Sequence, residues 1–260
     1  MKQEHRGSCP PIQEAPMNQG RPLTPDELKA RAIRFYERYG KDMEQISDLL
    51  NIRLSQLAQA YTLENALPQE AITIATRVKS LGSFLKKLEK RGWPQFYYPT
   101  EVIQDLIGAR VVCWFVDDCR GMQQFIAGSK HLTVHQEVED YIGQPKASGY
   151  RSIHLLADVG YDRVQRNGLE VEIQDGSMVC EIQIRTMLQD AWGQITHEFH
   201  YKAQTAGVNN TFYERILAEI AGRLSNEDAS LLTLRDAYQD LAKEQLKPPS
   251  HEGIKDGNTK

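Results

Sequence analysis

The stretch from Val102 to Arg185 constrains this chain most, because it is patterned for strands while the sequence on both sides has helical period. "GARVVCWFV" is a buried-strand run, "VHQEVEDYI" alternates, and "YRSIHLLADV" reads as a further strand. "LEVEIQDGSMVCEIQIR" reads as a hairpin turning at Asp175-Gly176, which brings the count to about five strands. A short helix is predicted near 118–128. In "VCEIQIRT", Cys180, Ile182 and Ile184 share one side of a strand, and Val179, Glu181, Gln183 and Arg185 the other. The first side is core. The second is either a solvated surface or the floor of a polar site. The fold class that follows is α/β (α+β), a mixed sheet flanked by N- and C-terminal helices.

The flanks carry their own signals. Residues 1–24 hold Pro10, Pro11, Pro16 and Pro22 and little apolar periodicity, the composition of a disordered tail. "LTPDELKA" then opens a helical region, with Thr24 as N-cap, Pro25 in the first position and Asp26 and Glu27 in the first turn. Helical pattern runs, with breaks, to about Arg91, and resumes after Arg185. Two C-terminal helical segments follow, ending near Leu246. Phe212, Ile216, Leu217, Ile220 and Leu224 form a stripe on the first, fit to cover the core or to pair with another subunit. Residues 247–260 read as a flexible tail.

With 260 residues the chain can bury a sizeable core, and a net charge of -4 excludes a global basic field of the kind that drives non-specific nucleic-acid binding. Nothing approaches a membrane span. Cys9, Cys113, Cys119 and Cys180 show no CxxC spacing. Cys113 and Cys180 lie in apolar strands, as buried reduced thiols of a cytoplasmic protein would.

Three segments carry chemistry. "RVKSLGSFLKKLEKRG", 77–92, has six basic residues and one acid. As a helix it would stack Lys79, Ser83 and Lys87 on one stripe, opposite Leu81, Phe84, Leu85 and Leu88. That stripe is either a solvated basic face or a grip on a chain of phosphates. "DLIGARVV" sets Asp105 before a strand, either to hold Mg²⁺ or to pair with Arg110, and Gly108 allows close approach or an unusual dihedral. "YIGQPKASGYRSIHL" brings together Lys146, Gly149, Tyr150, Arg151 and His154, either as a surface loop or as a platform for a base. Tyr150, Ser152 and His154 are predicted on one side of a strand. Glu181 would complete an acidic pair with Asp105.

In order, spacing and wording, "DLIGARVV", "PKASGYRSIHL", "EIQIRT" and "AWGQITHEFHYK" resemble the synthetase domain of the RelA/SpoT family, the bacterial alarmone synthetases. The likeness spans about Ala75 to Lys202 and marks 75–202 as the catalytic core, between a helical region at 25–74 and helices at 203–246. No His-Asp dipeptide is present to suggest the family's hydrolase domain, so the chain resembles a single-domain small alarmone synthetase. The resemblance implies a synthetase-type, nucleotidyltransferase-like fold and transfer of the β,γ-pyrophosphate of ATP to the 3′-hydroxyl of GDP or GTP, leaving AMP. It implies that Arg77 and Arg110 sandwich the adenine, that Lys79, Ser83 and Lys87 meet the phosphates, and that Asp105 binds Mg²⁺. Glu181 would take the 3′-hydroxyl proton or help hold the metal, and Tyr150 would stack on the acceptor base. Lys146, His154, Gln183 and Arg185 would surround the acceptor nucleotide. A homo-oligomer, a tetramer by the family's habit, is a further expectation.

Three departures stand out: Ser148 where the family loop has Asn, Thr76 before Arg77 where it has Gly, and Ala191 before Trp192 where many members have an aromatic. They leave two alternatives beside guanosine nucleotides. One is a toxin-type enzyme acting on the tRNA 3′ end or on adenosine nucleotides, and the other is an inactive nucleotide sensor. His197, Glu198 and His200 lack HExxH spacing, so no zinc site is read there, and that helix is read as packing.

Overall fold

In the computed structural model, which describes residues 21–205 and 211–245, the chain opens with one long helix, α1 (Pro25–Glu64). Thr24 caps it in a reciprocal box: its hydroxyl accepts from the Glu27 amide while the Glu27 carboxylate accepts from the Thr24 amide. Leu28, Ala32, Phe35, Tyr39, Met43, Ile46, Leu50, Leu54, Ala58 and Tyr61 recur every three or four residues and are all buried. That stripe is the lid of the core. The expected tails fall outside the described residues except for 21–24.

The expected count of five strands holds, with a different membership. The strands are β1 (Ile72–Val78), β2 (Ile107–Cys113), β3 (Leu132–Asp140), β4 (Ile153–Asn167) and β5 (Glu170–Thr186). They lie in the order β1-β2-β5-β4-β3, with β2 and β5 parallel and every other pair antiparallel. β1 falls in sequence read as helical and starts three residues before the expected core boundary at Ala75. Its β-branched run, Ile72, Thr73, Ile74, Thr76 and Val78, prefers a pleated surface. The hairpin expected at Asp175-Gly176 is a single strand instead. The chain turns at Gly168-Leu169, where Gly168 has φ +64 and Asn167 faces Glu170. Gly176 is small for another reason: a Cβ there would lie 2.8 Å from the ring of Tyr161, its cross-strand neighbour.

Two short helices link β1 to β2, namely α2 (Leu81–Lys90) and α3 (Pro99–Val102), and α4 (Val116–Ala127) precedes β3. One sheet face is core. Ile107, Ala109, Val111, Cys113, Ile153, Leu155, Ala157, Cys180, Ile182 and Ile184 bury against α1, α4 and Phe84 and Leu88 of α2. Cys113 and Cys180 are thus buried and unbridged, as expected, and so is Cys119. After β5, α5 (Met187–Thr205) packs against β2 and β5, and α6 (Thr211–Gln245) packs against α5 and α4. The two predicted C-terminal segments are one continuous helix. Its docked side carries Leu217, Ala218, Ala221, Asp228 and Arg235, whereas Phe212 and Ile220 of the predicted stripe are exposed.

Candidate active site

The open sheet face supplies the site by register alone. Arg77, Gly108 and Glu181 stand abreast on β1, β2 and β5. One step along, Ala75, Arg110, Gln183 and His154 form a second row across β1, β2, β5 and β4. The polar side of "VCEIQIRT" is therefore a floor, because Cys180, Ile182 and Ile184 occupy the core side. Gly108 has extended backbone, and a Cβ there would meet nothing within 4 Å, so it keeps the groove open and adopts no unusual dihedral. Asp105 precedes β2 and faces the same cleft of about 190 Å³ as Arg77, Gly108, Arg110, Glu181 and Gln183.

Lys79, Ser83 and Lys87 do not share a helical stripe. Lys79 lies between β1 and α2, its amide donating to the Leu106 carbonyl at 2.7 Å. The helix starts only after Ser80, whose hydroxyl caps it by accepting from the Ser83 amide. The Ser83 hydroxyl is 2.9 Å from that of Ser80. The two lysines nonetheless converge, Lys79 Nζ at 3.1 Å and Lys87 Nζ at 2.9 Å from Asp105 Oδ2. Asp105 therefore pairs with lysines, and Arg110 pairs elsewhere. Burial works against the Asp105 charge, but the two ammoniums outweigh it and hold the carboxyl below its ordinary range. Asp105 Oδ1 is buried with no hydrogen-bond partner.

The acidic partner is tied in from the opposite side. Glu181 Oε1 lies 3.3 Å from His154 Nδ1, and Glu181 Oε2 accepts from Gln183 Nε2 at 2.7 Å. Burial opposes its ionisation, and Asp105 raises it slightly further, yet the contacts with His154 and Gln183 prevail and its carboxyl lies below the usual value. Both acids are ionised at neutral pH. His154 Nε2 is in turn 2.8 Å from the Tyr150 hydroxyl, so contacts run from Tyr150 in the loop before β4 through His154 to Glu181 on β5. Tyr150 and Ser152 precede the strand rather than lying in it, and Ser152 points inward, donating to the Ile184 carbonyl.

The loop holding Tyr150 is fixed from two directions. Gly149 has φ +86, and its amide donates to the Lys146 carbonyl at 2.8 Å. A Cβ there would lie 2.6 Å from Ala221 Cβ and 2.9 Å from Ala218 Cα, so α6 rests directly on the turn. Tyr141 and Trp192 back the Tyr150 ring at 6.0 and 6.5 Å, and Lys146 Nζ sits 4.0 Å from the Tyr141 centroid. The Trp192 indole donates to the Leu217 carbonyl, which supports packing as the role of α5 there.

Arg185 is only 3% exposed; it continues the polar row of the floor, 3.5 Å from Gln183 Oε1, where α5 covers it. It meets Asp190, which the sequence reading missed, as it missed Tyr141. Asp190 has no motif spacing to announce it, because its partners come from two different strands. Beyond it, a larger hollow of about 450 Å³ is lined by Val112, Trp114, Met187, Ala191 and Ile195. Its wall is mostly apolar, and its acids are Glu70 and Asp190 rather than Asp105 and Glu181. Among the described residues no group of three or more His, Cys, Asp and Glu gathers as a metal cage, and the side chains of Glu198 and His200 lie outside the description.

Comparison with known proteins identifies the family and the fold. The model for the region found in RelA / SpoT proteins matches residues 76–206. GTP pyrophosphokinase YjbM of Bacillus subtilis is 33% identical over 168 residues, 64% of this chain and 74% of that protein. YwaC, a second GTP pyrophosphokinase of that organism, is 32% identical over 60% of this chain and 70% of its own. A solved GTP pyrophosphokinase family protein from Streptococcus pneumoniae aligns with a TM-score of 0.65 at 27% identity, over 82% of this chain and 98% of that one. The B. subtilis small alarmone synthetase 1 bound to its product pppGpp aligns at 0.62 and 26%, over 79% and 99%. With the family's region covering half of its length and relatives matched over most of theirs, this chain belongs to the RelA/SpoT family as a homologue of small alarmone synthetases.

Proposed function

We propose that this chain is a (p)ppGpp synthetase of the stringent response, moving the β,γ-pyrophosphate of ATP to the 3′-hydroxyl of GDP or GTP. The observation that carries the reading is the pair of ionised carboxylates, Asp105 and Glu181, facing one cleft between a basic side and an aromatic side. The small alarmone synthetase 1 to which the chain is similar was solved with pppGpp as its product. The donor would lie along Arg77 and Arg110, with its phosphates toward Lys79, Lys87 and the N-terminus of α2, where Ser83 lies and where unpaired amides and the helix dipole favour anions. The acceptor would lie along Lys146, Tyr150, His154 and Gln183, with Arg185 supporting Gln183 from the same row.

The residues fit a divalent ion. Asp105 offers a buried oxygen without a partner, Glu181 faces it across the groove, and Mg²⁺ typically takes one or two carboxylates together with phosphate oxygens. When bound, Mg²⁺ would neutralise charge on the phosphates. In the transfer, the 3′-oxygen forms a bond to the β-phosphorus while the bond from that phosphorus to the bridging α-oxygen breaks. The departing electron pair leaves on AMP. The 3′-hydroxyl proton goes to the Glu181 carboxylate or to water it orients. Lys79 and Lys87, now held by Asp105, are placed to exchange that carboxylate for phosphate oxygens as negative charge arrives.

The test is transfer from γ-labelled ATP with Mg²⁺ to GDP, GTP, ATP or bulk tRNA, each offered separately. Label on GDP or GTP is expected, and it should disappear in folded Asp105→Ala and Glu181→Gln proteins. Label on tRNA or ATP alone would replace the acceptor assignment. No transfer by the wild-type protein would overturn the reading.

A further inference from the structure

One carboxylate oxygen joins the two halves of the site. Asp190 Oδ1 lies 3.2 Å from Arg110 Nη1 and 3.0 Å from Arg185 Nε. Arg110 is a wall of the cleft, on the same strand row as Ala75. Arg185 is buried beside Gln183 and close enough to Arg110 and to Arg77 for their like charge to oppose its own. The contacts to Oδ1 are short, but neither Oδ1 nor Arg185 Nε makes an aligned hydrogen bond. They act as a shared charge contact between two strands. The other oxygen, Oδ2, accepts from Gln194 Nε2 at 2.6 Å, one helical turn on, which fixes the carboxylate's rotation.

The charge balance explains why an acid is placed there. Arg77, Arg110 and Arg185 crowd one region, and burial together with Arg110 and Arg77 pulls the Arg185 guanidinium below its ordinary range. Without a counter-charge, Arg110 and Arg185 would repel and take separate rotamers. Arg185 has nowhere to go inward, because it lies against Gly193 of α5, where a Cβ would be 2.7 Å from Arg185 Nη1. Losing the acid therefore releases Arg110 into the cleft and leaves Arg185 as a buried unpaired cation. The trio still holds a net positive charge, so the site stays receptive to phosphate.

We infer that Asp190 is a positioning residue which sets Arg110 against the donor nucleotide and Arg185 at the end of the acceptor floor at once, through a single carboxylate oxygen. The inference rests on the donor and acceptor reading proposed above. It predicts that one substitution weakens the use of both substrates, although Asp190 itself touches neither.

The experiment compares wild type with Asp190→Asn, Asp190→Glu and Gln194→Ala, each checked for folding by thermal melting. Steady-state transfer is measured with ATP varied and then with the guanosine acceptor varied. Asp190→Asn should raise KM for both substrates together, each by roughly tenfold, the loss of one charge-assisted contact. kcat should change much less, because the reacting groups are left in place. Asp190→Glu should recover most of the loss, and Gln194→Ala should show a smaller rise in the same two constants. Unchanged KM values in folded Asp190→Asn, or a rise in only one, would overturn the inference while leaving the proposed function intact. If the wild type transfers to no acceptor, the proposed function fails. Calorimetric binding of ATP and of GDP, each alone, then decides: weaker binding of both in Asp190→Asn supports the positioning role, and unchanged binding refutes it.

Discussion

At the residue scale, Asp105 and Glu181 each hold a charge that burial alone would remove. The compensation comes from different chemistry, two ammoniums for Asp105 and an imidazole with an amide for Glu181. Because both folded carboxyls lie below their ordinary values, their contribution to stability is fully present above the ordinary carboxylate range and is lost as pH falls through the depressed values. Acid unfolding of Asp105→Asn should therefore depend less steeply on pH below about 4 than that of wild type, in urea melts across that range. The same sign means neither acid should limit transfer near neutrality, and an acid limb belonging to this pair should appear only below the ordinary carboxylate range. A second test separates the Tyr150 ring from its hydroxyl. Tyr150→Phe keeps the stacking face and loses only the bond to His154, so acceptor KM should change little, whereas Tyr150→Ala should raise it by about tenfold. Equal effects in the two variants would show that the hydroxyl, and not the ring, is what matters.

At the scale of elements, α6 is the part whose contribution the primary structure concealed most. Its docked face mixes small and charged residues: Ala218 and Ala221 against Gly149, Asp228 against Thr186 and Gln189, and Arg235 against Asp117. Asp228 is 2% exposed, and burial raises its carboxyl above the ordinary value, so in the native state it binds a proton more readily than when unfolded. Its removal leaves the Thr186 O–H and the Gln189 Nε2–H without their acceptor. Asp228→Ala should cost about 1–3 kcal/mol in denaturant unfolding, the usual penalty for stranding buried polar groups. Gly149→Ala is the matching test on the other side of that contact. A methyl at φ +86 facing Ala221 and Ala218 should push the loop from α6 and weaken acceptor use. If acceptor KM is unchanged in folded Gly149→Ala, α6 is only a cover.

At the scale of the molecule, one helix and one sheet face hold the site in place from behind. Phe84 is fully buried, with its ring 5.7 Å from Tyr36 and 6.4 Å from Phe96, so α2 is pinned to α1 about one helical turn before Lys87. Phe84→Ala should cost about 3–5 kcal/mol and show as a lowered urea midpoint, by the cavity that an unfilled aromatic leaves. Because α2 carries Lys87 to Asp105, activity should fall with temperature earlier in that variant than in wild type.

Much of this was legible in one dimension. Thr24 and Glu27 announced the start of α1, since capping chemistry is local. The alternation of "VCEIQIRT" separated core from floor, since strand period is local as well, and the family's blocks gave Asp105, Glu181, Tyr150 and the basic residues. The errors arose where local signals competed. Asp175-Gly176 looked like a turn, and only the packing of Tyr161 on Gly176 shows why that glycine lies within a strand. Lys79 and Lys87 fit a helical stripe by spacing, yet they converge on Asp105 from a strand end and a helix. Asp190 had no pattern at all. The sequence by itself determined periods, caps and which polar residues fall on the open face of β5, because these depend on neighbours along the chain. The tertiary structure alone decided which charges share a partner, because electrostatic contacts form between residues that only the register of the sheet and the docking of α5 and α6 bring within about 4 Å.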